Sequence, residues 1–235
     1  MRPLSSRERG GAQGPIVIRQ APAQPRQSRP PYSRPRLLLC DRDGTILEDR
    51  PEYLRQPSDA VLLPGATVAL RAASEAGFEI VIVSNQSAVG RGLLEAAQVV
   101  AVHRSVLATL EREGVRIRAS YLCPHAPDAA CPCRKPAPGM ITAALDESGV
   151  HPDAAAFVGD AYEDMQAAAR ANVSPVLVRT GRGARHEPLV RGDPHLRHAA
   201  VVADLAEAIS IAAGRVSPGA SAPSTDHRSW NSEVS

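Results

Sequence analysis

Lysine is nearly absent from this 235-residue chain: of its 27 Lys and Arg residues one, Lys135, is a lysine. Arginine carries a rigid planar fork and lysine a compact point charge, so the two are not interchangeable. A single lysine kept between a cysteine-containing loop and the opening of a helix marks a position where a point charge is needed. Aromatic residues are also scarce, with two Phe, four Tyr and one Trp. That argues against a stacking platform for single-stranded nucleic acid, which needs a flat face under each base. No apolar run approaches the roughly 20 residues of a membrane-spanning helix. The first apolar cluster, Ile16-Val17-Ile18, is too short for the core of a signal peptide. A soluble, monomeric, cytoplasmic protein with no membrane partner is expected.

Acidic residues are all but missing from the first 36 positions, which hold eight Arg, seven Pro and a single acid, Glu8. Such a composition cannot bury enough apolar surface to order itself, so residues 1–36 are expected to be a disordered basic tail. Residues 215–235, rich in Ser, Pro and Ala, are expected to behave likewise. Between them, 37–214 has the size of one domain with its own core. The whole chain has a formal net charge of +2, and with the basic tail set aside the folded body is acidic. A flexible basic arm can touch a polyanion without recognising it, so no specific nucleic-acid partner is expected.

What is present is a repeating pattern. Arg36-Leu-Leu-Leu-Cys40 is an apolar run that breaks into Asp41-Arg42-Asp43-Gly44. It reads as a buried strand ending in a polar turn. Phe78 to Ser84 is a second such strand, followed by Asn85, Gln86 and Ser87. Ala155 to Gly159 is another, followed by Asp160 and Asp164. Further strands are expected at 115–122, 175–179 and near 200, and helices at 64–76, 94–113, 138–148, 162–171 and up to 213, with a turn at 180–183. Strands alternating with helices specify an α/β fold, a doubly wound, mostly parallel sheet covered on both faces. Parallel strands present their carboxyl ends to one edge, so the three polar clusters can converge there.

Converging carboxylates repel one another unless a cation offsets the charge. Asp41, Asp43, Asp160 and Asp164 supply oxygen ligands, which select a hard ion such as Mg²⁺. A magnesium site beside a carboxylate nucleophile suits phosphoryl transfer through an aspartyl-phosphate. Three of the four cysteines lie in the loop Cys123-Pro-His125 to Cys131-Pro-Cys133. On extended chain, Cys-x-His and Cys-x-Cys each aim two ligands to one side, and together they complete a closed tetrahedral set for a structural Zn²⁺. Disulfide pairing is the competing reading, but it leaves one of the three over and needs an oxidising compartment. Cys40, flanked by apolar residues, reads as core.

In combination, Asp41-Arg42-Asp43-Gly44-Thr45, Ser84-Asn85-Gln86-Ser87, Arg134-Lys135-Pro136 and Gly159-Asp160 to Asp164 resemble the four ordered motifs of the haloacid dehalogenase superfamily. The zinc loop, Pro138-Gly139-Met140 and Asp164-Met-Gln-Ala-Ala narrow the resemblance to the D-glycero-D-manno-heptose 1,7-bisphosphate phosphatases. The resemblance implies a Rossmann-like fold with a small zinc loop and no large cap domain. It implies Asp41 as nucleophile, Asp43 as general acid and base, and Ser84 and Lys135 holding the transferring phosphoryl group. Asn85, Gln86, Ser87 and Arg134 would contact a small phosphorylated sugar, as would part of the loop Asp49 to Tyr53. Asp41, the carbonyl of Asp43 and Asp160 would bind Mg²⁺, with Asp164 supporting them. Two positions depart from the pattern. Ala161 stands where those phosphatases usually carry a lysine, and the five residues between His125 and Cys131 match the short loop of the related histidinol-phosphate phosphatases. Histidinol phosphate or another small phosphate ester is therefore the alternative substrate. A DNA 3′-phosphatase and a non-catalytic, zinc-stapled binding module rank behind it.

Overall fold

The computed structural model describes residues 14–20, 36–50 and 52–215. Seven strands, β1 (Ile16–Arg19), β2 (Arg36–Cys40), β3 (Phe78–Asn85), β4 (Ile117–Cys123), β5 (Ala155–Gly159), β6 (Ser174–Val178) and β7 (Ala200–Val202), form one sheet. Their order is β1-β4-β3-β2-β5-β6-β7. All neighbours are parallel except β1, which runs antiparallel to β4.

Alternation along the strands divides the core in two. Leu38, Cys40, Ile80 and Ile82 face one side with α1 (Ala66–Glu75), α3 (Ala96–Arg112) and α7 (Leu205–Arg215). Leu37, Leu39, Val81 and Val83 face the other with α4 (Gly139–Ser148) and α5 (Tyr162–Arg170). Strands buried on both faces have no need of polar alternation, which is why β2 and β3 are continuous apolar runs. One turn of helix, α2 (Ser87–Gly90), follows β3. Among the described residues no helix is long and apolar enough to cross a membrane. No inserted cap domain is present among them: the segments above the sheet edge are the loop after β2 and the Cys/His loop after β4.

The chain winds from β2 outward through β3 to β4, then returns to the other side of β2 with β5. Strand order therefore reverses between β2 and β5, and ligands of open α/β sheets bind in the crevice at that reversal. Asp41 follows β2 and Asp160 follows β5, so the two carboxylates flank it.

Two expectations are corrected. Residues 16–19, expected to lie within a disordered tail, form β1, pairing Ile16 with Leu122 through Arg19 with Ala119. The β-branched run is too short to order alone, but the free edge of β4 supplies the ladder. Arg19 adds a two-point ion pair to Glu147, with Nε at 2.8 Å and NH2 at 2.7 Å. Arg36, also expected in that tail, opens β2, while residues 1–13, 21–35 and those from 216 onward lie outside the described residues. The turn at 180–183 continues into a further helix, α6 (Gly183–Gly192), despite Pro188 within it. Proline usually ends a helical pattern, which hid this element in the sequence.

Candidate active site

At the carboxyl edge of the sheet, Lys135 is 3% exposed. Its Nζ lies 2.5 Å from Asp41 Oδ1 and 2.7 Å from Asp164 Oδ1, and donates to the Val83 carbonyl at 2.8 Å. The lone lysine thus joins the ends of β2, β3 and the first turn of α5. Burial disfavours its charge, but Asp164 and Asp41 outweigh that and hold its pKa above the ordinary value. Asp164 also caps α5, its Oδ2 accepting the Ala161 N–H at 3.1 Å.

Asp41, Asp160 and Asp164 are all buried, and their carboxylate oxygens lie within 4.8 Å of one another. Burial pushes Asp41 up to about 6 against the pull of Lys135, with Asp164 and Asp43 adding repulsion. Burial and Asp41 push Asp160 up to about 6 as well, against Arg182. Three buried carboxylates with raised pKa values are a donor set short of positive charge. Neighbouring oxygens around an octahedral Mg²⁺ lie about 3 Å apart and opposite ones about 4.2 Å. The cluster matches that ion in the chemistry of its donors. Its close packing depends on glycine at two turns. Gly44 has φ +84° and Gly181 φ +54°, and a Cβ on either would run into the Asp160 carboxylate. Thr180 Oγ1 ties the two turns together by donating to the Gly44 carbonyl at 2.6 Å.

Asp43 is held apart from this cluster. Its Oδ1 accepts from Arg42 Nε at 3.1 Å, and its Oδ2 from Arg42 NH2 at 2.8 Å and Gln86 Nε2 at 3.0 Å. Burial works to raise its pKa, but the Arg42 charge and these hydrogen bonds hold it below the ordinary carboxylate value. Gln86 Nε2 also donates to Ser84 Oγ at 2.9 Å, linking the polar end of β3 to that of β2.

These residues open into a cavity of about 230 Å³ lined by Asp41, Asp43, Ser84, Lys135, Arg134 and Arg182 among others. Asn85, Gln86 and Ser87 also face it, as do Asp49, Arg50, Glu52 and Tyr53 of the loop after β2. Asp160 is fully buried behind the wall. Asn85 lines the cavity, but its amide is spent on Lys135: Nδ2 donates to the Lys135 carbonyl at 3.0 Å and Oδ1 accepts the Lys135 N–H at 3.1 Å.

The Cys/His loop closes on itself. Cys123, His125, Cys131 and Cys133 converge, with sulfur–sulfur distances of 3.4, 3.5 and 3.7 Å and His125 Nδ1 at 3.4 Å from Cys123 Sγ and 3.3 Å from Cys133 Sγ. Disulfide sulfurs lie about 2.05 Å apart, so no pair here is bonded. With Zn–S near 2.3 Å and Zn–N near 2.0–2.1 Å, a tetrahedral site spaces its donors by about 3.5–3.8 Å. The four atoms fit such a site closely, and no donor position is left open. Arg134 and Lys135 follow Cys133 directly, and Arg134 NH1 donates to the His125 carbonyl at 3.3 Å.

Sequence reasoning passed over two arginines. Arg182, in the turn after β6, donates its backbone N–H to Asp160 Oδ2 at 2.8 Å and its guanidinium NH2 to Asp160 Oδ1 at 3.3 Å. The signal was available: β6 is parallel to β5, so its carboxyl end reaches the same edge. Read as a continuation of β2, Arg42 would alternate away from the acids on either side, but β2 ends at Cys40 and the chain bends at Arg42.

An HAD-hydrolase-like family model matches residues 132–208. A D-glycero-β-D-manno-heptose-1,7-bisphosphate 7-phosphatase of Bordetella bronchiseptica is 36% identical over 148 residues, spanning 63% of this chain and 83% of the relative. The enzyme of that name from Escherichia coli is 38% identical over 153 residues, spanning 62% and 80%. The crystal structure of the D,D-heptose 1,7-bisphosphate phosphatase from B. bronchiseptica, complexed with magnesium and phosphate, superposes with a TM-score of 0.70 at 34% identity, covering 75% of this chain and 97% of that one. The chain therefore belongs to the family of the D-glycero-β-D-manno-heptose-1,7-bisphosphate 7-phosphatases, within the HAD-like hydrolases.

Proposed function

We propose that the protein removes the 7-phosphate from D-glycero-β-D-manno-heptose 1,7-bisphosphate, leaving the 1-phosphate, with Asp41 as the nucleophile. The observation that carries this reading is the triple contact of Lys135 Nζ with Asp41, Asp164 and the Val83 carbonyl. A fixed cation on the attacking carboxylate stands where the three equatorial oxygens of the transferring phosphoryl group must be neutralised.

A carboxylate oxygen of Asp41 attacks phosphorus in line with the departing sugar oxygen, and Asp43 gives that oxygen its proton. The phosphoryl group is then carried on Asp41. Water attacks the same phosphorus, loses its proton to Asp43, and restores the Asp41 carboxylate with release of phosphate. Lys135 and the Ser84 hydroxyl steady the phosphoryl oxygens through both halves. Asp41 and Asp160, with the carbonyl of Asp43, would hold Mg²⁺, and Asp164 would fix Lys135 beside them. That ion, when bound, offsets the charge of the carboxylates and of the phosphoryl group.

The second phosphate brings about −1.5 to −2 of charge near pH 7 into a pocket lined by carboxylates. Arg134 is placed to meet it: it lines the cavity, adjoins Lys135 and can bind phosphate at two points. Ala161 contributes no charge at the wall it shares with Asp164 and Glu163, so with Arg42 paired to Asp43, Arg50 and Arg182 are the other cations of the lining that can meet it. Cys123, His125, Cys131 and Cys133 would hold a structural Zn²⁺ that positions Arg134 and Lys135. Ala161 and the short Cys/His loop favour histidinol phosphate as the second reading.

Phosphate release tests the choice directly. With Mg²⁺, the heptose 1,7-bisphosphate is expected to give the highest kcat/KM among the bisphosphate, its monophosphates, histidinol phosphate and 3′-phosphorylated DNA, with a single phosphate released per sugar. A higher kcat/KM for histidinol phosphate or for DNA would replace the substrate assignment.

A further inference from the structure

Arg42 is 2% exposed, and its guanidinium makes a fork-on-fork contact with the residue next to it in sequence. Burying a guanidinium is costly unless each nitrogen is matched, and here NH1 has no hydrogen-bond partner among the described residues. Its buried neighbour does not compensate. His103, on α3, is fully buried with neither ring nitrogen hydrogen-bonded among the described residues. Burial, with Arg42 beside it, lowers its pKa to about 3, so the imidazole is neutral and supplies no counter-charge. The carboxylate paired with Arg42 is that of Asp43. A charge buried at this cost and aimed at one carboxylate serves that carboxylate.

We propose that Arg42 is a positioning residue for Asp43. Its two-point fork fixes the plane of the carboxyl group and, with Gln86, loads Oδ2 with two hydrogen bonds while Oδ1 accepts one. Oδ1 keeps the free lone pair, and it is the oxygen that exchanges a proton with the leaving group. In the first half of the reaction the bond from phosphorus to the sugar oxygen breaks with its electron pair going to that oxygen. Because the fork favours the ionised form, Asp43 takes a proton from solvent at Oδ1 as the phosphate ester binds; that proton moves to the oxygen, and Asp43 is left as a carboxylate in the Arg42 fork. Gln86, bonded to both Asp43 and Ser84, keeps the acid in register with the phosphoryl-holding hydroxyl.

This assignment rests on the phosphatase reading above, and leaving-group dependence separates the two. An alkyl phosphate needs its departing oxygen protonated, whereas p-nitrophenyl phosphate leaves as a stable phenolate. For Arg42→Lys and Arg42→Gln, kcat/KM is expected to fall roughly tenfold to hundredfold further on the sugar phosphate than on p-nitrophenyl phosphate, a part of the ~10²–10⁴ that general acid catalysis supplies. Arg42→Lys keeps the charge but loses the planar fork, so it carries the comparison if Arg42→Gln does not fold. In an Asp43→Asn background, Arg42→Lys is expected to cost nothing further. Equal losses on both substrates, a change confined to KM, or full additivity with Asp43→Asn would overturn the positioning role. Wild-type protein inactive on both esters would instead remove the phosphatase reading itself.

Discussion

The amide of Asn85 grips the backbone of Lys135 from both sides, accepting its N–H at 3.1 Å and donating to its carbonyl at 3.0 Å. Asn85 ends β3 and Lys135 follows the Cys/His loop, so this pair sets where the chain's lone lysine stands relative to Asp41. Lys135→Ala removes the charge itself, and kcat is expected to fall by about 10² to 10³ if it resembles loss of an oxyanion donor. Asn85→Ala leaves the charge but loosens its placement, and kcat is expected to fall roughly tenfold, about 1.4 kcal/mol of transition-state stabilisation. Steady-state kinetics of the two variants and their double mutant checks this. A double mutant no worse than Lys135→Ala is the expected result, and additive losses would show that Asn85 acts independently of the lysine.

Zinc is expected to act on stability and, through it, on the site. Purified protein should contain a single zinc per chain, and chelation should lower Tm and release Arg134 and Lys135 from their positions. Elemental analysis together with thermal unfolding before and after chelation checks it. Absence of stoichiometric metal, or an unchanged Tm on stripping, would contradict the four-ligand assignment of Cys123, His125, Cys131 and Cys133.

Gly44→Ala combines two faults, a left-handed backbone and a methyl group driven into the Asp160 carboxylate. The backbone contribution alone is about 1–2 kcal/mol. The expected result is a lower Tm together with weaker Mg²⁺ binding, measured by calorimetry on the purified variant. Gly92 provides the control: it too has positive φ, but a Cβ added there would meet no atom within 4 Å. Alanine at 92 therefore carries the backbone cost without touching the site. Equal Mg²⁺ affinity in both variants would contradict the proposed role of Asp160.

Discrimination between bisphosphate and monophosphate is expected to depend on the cations of the lining. Arg134→Ala should narrow the ratio of kcat/KM for the heptose 1,7-bisphosphate to that for its 7-monophosphate, and Ala161→Lys should widen it. If neither moves the ratio, Arg182→Ala and variants at Arg50 locate the second phosphate instead. Arg182→Ala should also weaken Mg²⁺-free stability, because it removes the ion pair to the buried Asp160.

Much of this site was legible because parallel strands all end at one edge. Asp41, Ser84 and Asp160 could be brought together from the sequence on that ground alone, and the spacing of Cys123, His125, Cys131 and Cys133 marked the four side chains that converge after β4. What escaped depends on contacts between segments remote in sequence or on side chains turning against the backbone pattern. β1 exists because β4 offers an edge, which composition cannot reveal. Arg182 reaches Asp160 across 22 positions. Arg42 reaches Asp43 because the chain bends just beyond β2, and Asn85 turns from the cavity to the Lys135 backbone.

The central claim is that the phosphoryl group passes through Asp41. Substrate labelled in its 7-phosphate, mixed with enzyme and Mg²⁺ and quenched in acid within one turnover, tests it most directly. The predicted result is label bound covalently to the peptide containing Asp41, discharged by hydroxylamine as an acyl phosphate, and absent in Asp41→Asn. Turnover without protein-bound label, or label that persists in Asp41→Asn, would contradict it.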